Sequence, residues 1–160
     1  MTTSIRTTGT ERELLETMLD QARADLISTV RGLSETDARS RLVPSLTTPI
    51  ALIKHAAFAE RMWFQRTLGR LTDDDCDGPL WAHGGFEVGD DETVTEMIAE
   101  FERASARARS IAVRIPLDET REHPRTGVVV SLRWIYMFMI AEFARHAGHG
   151  DILREQIEAR

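Results

Sequence analysis

The sequence predicts an all-α four-helix bundle. Three observations carry that reading. Four long segments space their apolar residues three and four apart, the pattern of helices with one buried face. No run of strands with alternating apolar residues occurs along the chain. The 160 residues are about what four long helices and two generous connections require, so residues 1–160 are read as a single domain.

The first helix is expected from about Glu11 to Gly32. Leu15, Met18, Leu19, Ala22, Leu26 and Val30 form its apolar stripe, and Gly32 supplies the stop. Ser34-Glu35-Thr36-Asp37 resembles a capping box and predicts a short helix. The second long helix starts at Thr48-Pro49, a hydroxyl cap followed by a proline in the first turn, and runs to about Leu68. The third starts after Asp90-Asp91 and runs to about Val113. Val94, Met97, Ile98, Phe101, Ala104, Ala108 and Ile111 form its stripe. The fourth runs from about Ser131 to Ala159, with Leu132, Ile135, Phe138, Met139, Phe143 and Ile152 expected inside. Of the connections, Thr72 to Asp91 is long and acidic and carries Gly84-Gly85. Arg114 to Val130 holds Pro116, His123-Pro124 and Gly127. Its Val128-Val129-Val130 either forms a short strand or leads straight into the last helix.

Composition narrows the function classes. Apolar residues make up 42% and charged residues 29%, which is too apolar for a disordered chain. Twenty basic residues against 26 acidic give a net charge of -6, which argues against a nucleic-acid partner and an anionic membrane surface. Lys54 is the only lysine. The arginine bias reads first as a genomic habit, although arginine does suit carboxylate recognition. A single cysteine, Cys76, excludes an intrachain disulfide framework. Its acidic neighbours disfavour a thiolate, so it reads as inert. Met1 to Thr10 is polar, without a signal-peptide stretch. The longest apolar run, Trp134 to Ala141, is eight residues, far short of the ~20 that span a bilayer. A reducing cytoplasm is the expected compartment.

Polar residues inside an apolar stripe are the informative ones. The last helix has Glu142, His146 and His149. At about 100° per residue, His146 falls near +40° and His149 near −20° from Glu142, so all three are expected to face inward. The second helix has His55, flanked on its face by Ala51, Leu52, Phe58, Ala59 and Met62. Taken alone, His55 reads as a satisfied core histidine, and Glu142 with His146 as an ion pair four residues apart. Taken together, a divalent metal would satisfy a carboxylate and imidazoles that are otherwise costly to bury. A His₂Glu set with one position left for water or substrate is a known zinc arrangement.

The stretch Glu142-Phe143-Ala144-Arg145-His146-Ala147-Gly148-His149 resembles the last-helix signature of the DinB-like superfamily of bacterial four-helix bundles. Pro49 to Phe64, with His55 at its centre, and Ser131-Leu132-Arg133-Trp134 resemble that superfamily too. The similarity is greatest to an uncharacterised actinobacterial subgroup related to the mycothiol-dependent maleylpyruvate isomerase. The resemblance implies one divalent metal, zinc or nickel, held by His55, Glu142 and His146. Glu142 matches the isomerase branch, where Glu replaces the first His of a His-x₃-His pair. His149 stands where relatives carry a non-ligand Gln, and Phe138 where many carry another His.

The resemblance also implies chemistry. A metal-bound low-molecular-weight thiol such as mycothiol or bacillithiol would attack an electrophilic small molecule. His149 would relay a proton, and Arg61, Arg133 or Arg145 would hold a carboxylate. The expected function is a thiol-dependent S-transferase or isomerase. Two rivals stand beside it: a non-enzymatic bundle whose metal only staples two helices, with a binding or stress-response role, and a metal-dependent hydrolase. A homodimer is one assembly such bundles adopt, although no interface is legible in the residues. His83, beside Trp81 and Gly84-Gly85, reads as solvated loop or as the rim of a pocket, and His123 reads similarly. Trp63, Phe64 and Trp134 read as core.

Overall fold

The computed structural model describes residues 6–160; residues 1–5, part of the polar stretch from Met1 to Thr10, lie outside the described residues. Helix α1 spans Glu11–Val30. The Thr10 hydroxyl accepts from the Glu13 N–H while the Glu13 carboxylate accepts from the Thr10 N–H, a reciprocal cap. The short α2, Glu35–Ala38, opens on Ser34, which accepts from the Asp37 N–H. Helix α3 spans Pro49–Glu60 behind its Thr48 cap. It continues without a break as a π-helix over Arg61–Leu68. There the Gly69 N–H donates to the Phe64 carbonyl at 2.9 Å, five residues back. No glycine or proline within 61–68 marks this change in the sequence.

Helix α4 spans Val94–Ala112 and starts at a Thr93–Glu96 capping box, just beyond the Asp90-Asp91 pair. Strands β1, Thr120–Glu122, and β2, Val129–Ser131, pair antiparallel with Thr120 opposite Ser131. Helix α5 spans Leu132–Glu158, capped by Ser131. Both alternatives for the valine run are thus realised at once: β2 is a strand, and it ends on the cap of α5. No helix among the described residues is long and apolar enough to cross a membrane.

Contacts along the helices show their directions. Arg133 at the start of α5 reaches Glu11 at the start of α1, and Arg154 near its end donates to the Arg31 carbonyl, so the two run parallel. Arg61 pairs with Glu100, and Gly69 lies against Ile111, so α3 and α4 are parallel as well. His55 meets Glu142 and Phe64 meets Tyr136, which makes α3 antiparallel to α5. A parallel α3–α4 pair needs a connection that returns the full length of a helix. That need explains the long segment between Gly69 and Thr93, and it sends this segment back past the first turns of α3.

The core forms where the stripes meet, around Leu19, Leu26, Ile50, Ile53, Phe101, Leu132, Ile135 and Phe143, all fully buried. Each contributes about 1.5–3 kcal/mol on burial. A fully buried Glu60 accepts a two-pronged bond from Arg23, at 2.6 and 2.9 Å, and ties α1 to α3.

Several expectations need correction. Met18 and Ile152 are exposed, at 47% and 58%. Trp134 is partly exposed; it stacks on Phe138, with ring centres 5.0 Å apart, and leans on Trp63. His123 is buried rather than solvated, because Trp63 packs against it at 4.8 Å. Burial, then the nearby Arg125 charge, lowers its pKa.

Candidate metal centre

His55 sits in the second turn of α3, and Glu142 and His146 sit one turn apart in the middle of α5. Antiparallel packing brings them together, and one ligand atom from each lies within 4.8 Å of the others. A single oxygen, Glu142 Oε1, faces His55 Nε2 at 3.1 Å and His146 Nε2 at 3.0 Å. All three side chains are mostly buried.

Proton placement decides what this geometry favours. His55 Nδ1 lies 2.8 Å from the Gly84 carbonyl oxygen. A carbonyl can only accept, so Nδ1 carries the hydrogen. In the neutral ring Nε2 then turns a lone pair toward Glu142 Oε1, which also has only lone pairs to offer. Two acceptors at 3.1 Å repel unless a cation sits with them, either a proton on Nε2 or a metal ion. The bonds from His146, then from His55, hold the Glu142 carboxyl well below the usual carboxylate range, against the opposing effect of burial. An anionic oxygen flanked by two imidazole nitrogens is a donor set that fits a divalent metal. His146 Nδ1 is buried without a partner, so only His55 is oriented by the backbone.

The returning connection supplies that orientation. Its single 3₁₀ turn, Ala82–Gly85, holds His83, Gly84 and Gly85 at positive φ and lays the Gly84 carbonyl over His55. Lys54, the sole lysine, fastens the turn: its ammonium donates to Glu92 at 2.6 Å and to the Glu87 carbonyl at 2.7 Å. The same ammonium lies 4.8 Å over the Trp81 ring. Phe86 stacks on the His55 ring with centres 4.3 Å apart. Sequence reasoning noticed Gly84-Gly85 but missed Gly84, Lys54 and Phe86 as supports of the site. Their signal was two glycines and a lone lysine, none of which specifies a contact 29 residues away in the chain.

A Cβ at Gly84 would lie 3.3 Å from His55 Nδ1, at φ +68°. Gly84→Ala is therefore expected to tilt the imidazole and weaken zinc binding about tenfold, the scale for losing an orienting bond to a metal-ligating His. Titration against a chromophoric chelator reads it directly.

The other anticipated site residues are placed differently. His149 is exposed rather than turned to the core, although its ring lies edge-on to His146 with centres 5.5 Å apart. Arg61 is fully buried and paired with Asp77 and Glu100. Arg133 is committed to Glu11 and Asp118. Neither joins the cluster. Arg145 is exposed on α5, about 60° around the helix from Glu142, on the side of His149. His83 is exposed beside Glu87. Cys76 keeps its thiol: burial, then the charges of Asp73 and Asp77, raise its pKa.

The family model for MST, mycothiol-S-transferase, matches residues 14–159. No curated protein sequence matches the chain.

Proposed function

The chain belongs to the mycothiol S-transferase family, a DinB-like family, and on that premise we propose that it joins a low-molecular-weight thiol, mycothiol, to an electrophilic small molecule. The convergence of His55, Glu142 and His146 on one oxygen carries the reading. These three residues would hold the metal; we assign zinc, with nickel as the alternative. When bound, such an ion supplies the positive charge that keeps a sulfur as thiolate near neutral pH.

The chain's own groups do the rest. Glu142 stays ionised, so the centre keeps its one protein anion. Gly84 and Phe86 hold the His55 ring in place and keep water from its outer face. His149 takes the proton that leaves the thiol and holds it on a ring nitrogen, a task suited to an imidazole near neutral pH. Arg145 is the guanidinium we assign to ligand contact, because Arg61 and Arg133 are already paired. Small-molecule partners in the cytoplasm, rather than nucleic acid or membrane, suit a chain of net charge -6.

The test is zinc-loaded protein with mycothiol and monobromobimane. Turnover is expected only when both metal and thiol are present. Absence of thiol-dependent turnover from a zinc-loaded sample would favour a metal that merely staples two helices. Turnover of an ester panel without thiol would favour a hydrolase.

A further inference from the structure

Two grooves reach the cluster through a neighbouring ring, one by Phe86 on His55 and one by His149 beside His146, and they differ in charge. The first has a volume of about 300 Å³ and mixes the charged Arg39, Arg41 and Glu87 with apolar side chains that include Phe86, whose ring stacks on His55. The second is about 370 Å³ and is lined by Val43, Ser45, Thr47, His149, Ile152 and Leu153. Among the described residues it carries three aliphatic side chains, two hydroxyls and one imidazole, with no carboxylate, guanidinium or ammonium. The ring of His149 connects it to His146.

The origin of the second groove lies in the fold. Helix α5 runs on to Glu158, while antiparallel α3 begins only at Pro49. Beyond that start, residues 43–48 pass as an irregular segment, so the face of α5 at His149 and Ile152 has no helix over it. Ile152 and Val43 are left 58% and 37% exposed. An aliphatic side chain held open at the rim of a polar cluster is what an apolar ligand would cover.

We propose that this groove seats the electrophile, and that it selects an uncharged, apolar molecule of one or two rings bearing a leaving group. This assignment rests on the transferase reading and deepens it. The reaction balances as follows: the thiol proton goes to His149, and the sulfur lone pair forms the new S–C bond. The bond from that carbon to a halide breaks, and the halide leaves with its electron pair. The products are a thioether, a halide ion and a proton. The groove's lack of cationic groups disfavours carboxylate-bearing electrophiles, and its lack of anions disfavours cationic ones.

Ile152→Asp tests the seat, because the exposed position tolerates a charge without loss of fold. With benzyl and naphthylmethyl bromides, the KM for the electrophile is expected to rise about tenfold or more. The KM for mycothiol and the zinc stoichiometry are expected to stay unchanged. An unaltered electrophile KM, or an equal rise for the thiol, overturns the proposal. Methyl NMR provides a readout that needs no turnover. Unreactive benzyl alcohol is expected to shift the Val43, Ile152 and Leu153 methyls of the wild type. Shifts there without thiol-dependent turnover would reject the transferase reading and keep the groove as an apolar-ligand site. Turnover without shifts would reject the groove alone.

Discussion

Glu142→Gln is expected to weaken zinc binding by at least about 100-fold and to abolish thiol-dependent turnover. Loss of a residue that merely orients a ligand lowers metal affinity by about 10–100-fold, and Glu142 is a candidate ligand itself. The substitution keeps the shape of the side chain and an oxygen at Oε1. What it removes is the one negative charge among three ligands, at a point where both Nε2 atoms converge. Chelator competition measures the affinity, and far-ultraviolet circular dichroism confirms that the helices remain. His55→Ala is expected to lose stoichiometric metal as well. Equal zinc affinity in wild type and Glu142→Gln would reject the centre.

The metal-free protein offers a second reading of the same residue. The folded-state pKa of Glu142 is depressed, so its stabilising bonds to the imidazoles are present in full above the unfolded carboxylate range. They fade as pH falls through the lower folded value. In the variant the amide oxygen can still accept from an imidazole N–H, but the charge that strengthens those bonds is absent at every pH. The Tm gap between metal-free wild type and Glu142→Gln is therefore expected to narrow as pH drops below about 4.

The cluster of His55, Glu142 and His146 was legible because each breaks an apolar stripe, and because four residues on a helix return to the same face. The helix starts at Thr48-Pro49 and Ser131 were legible because caps are local chemistry, decided within three residues. His149 and Ile152 failed for a different reason. The buried residues Leu132, Ile135, Met139 and Phe143 fall between about +20° and +100° from Glu142, whereas His149 falls near −20°, at the margin of that face, and Ile152 near −80°, beside the exposed Trp134 and Arg145; burial also needs a neighbour at that height. Where α3 begins and how far α5 outruns it are properties of two segments nearly a hundred residues apart. Periodicity within one helix carries no such information. The π-helical stretch was equally silent, since no residue in 61–68 announces a change of register. Gly84 and Lys54 required the path of a long connection, which follows from the parallel packing of α3 on α4 and only then becomes predictable.

Arg61 is where sequence reasoning and structure lead to opposite experiments. As a ligand-binding arginine, its replacement would raise a KM and leave the fold intact. In the structure it is fully buried. Its Nε donates to Asp77 at 2.8 Å, one terminal nitrogen donates to the Pro79 carbonyl at 3.3 Å, and the other pairs with Glu100. The guanidinium also lies 5.2 Å from the Trp81 ring centre, and it leaves no room for a side chain at Gly78. These contacts pin the returning connection against α3 and α4. Arg61→Met would strand the mostly buried Asp77 carboxylate and leave Glu100 only its pair with Arg103, and removing one partner of a buried ion pair costs about 3–5 kcal/mol. At this chain length that corresponds to a fall in Tm of roughly 10 °C. Arg61→Lys is expected to recover little, because one ammonium cannot reproduce a fork that spans Asp77, Pro79 and Glu100. Because the same connection carries Gly84, both variants are also expected to lower zinc affinity. Mycothiol KM in the fraction that remains metal-loaded is expected to match the wild type. Calorimetry and chelator titration on the same samples separate the two roles. An unchanged Tm with a raised thiol KM would return Arg61 to the ligand.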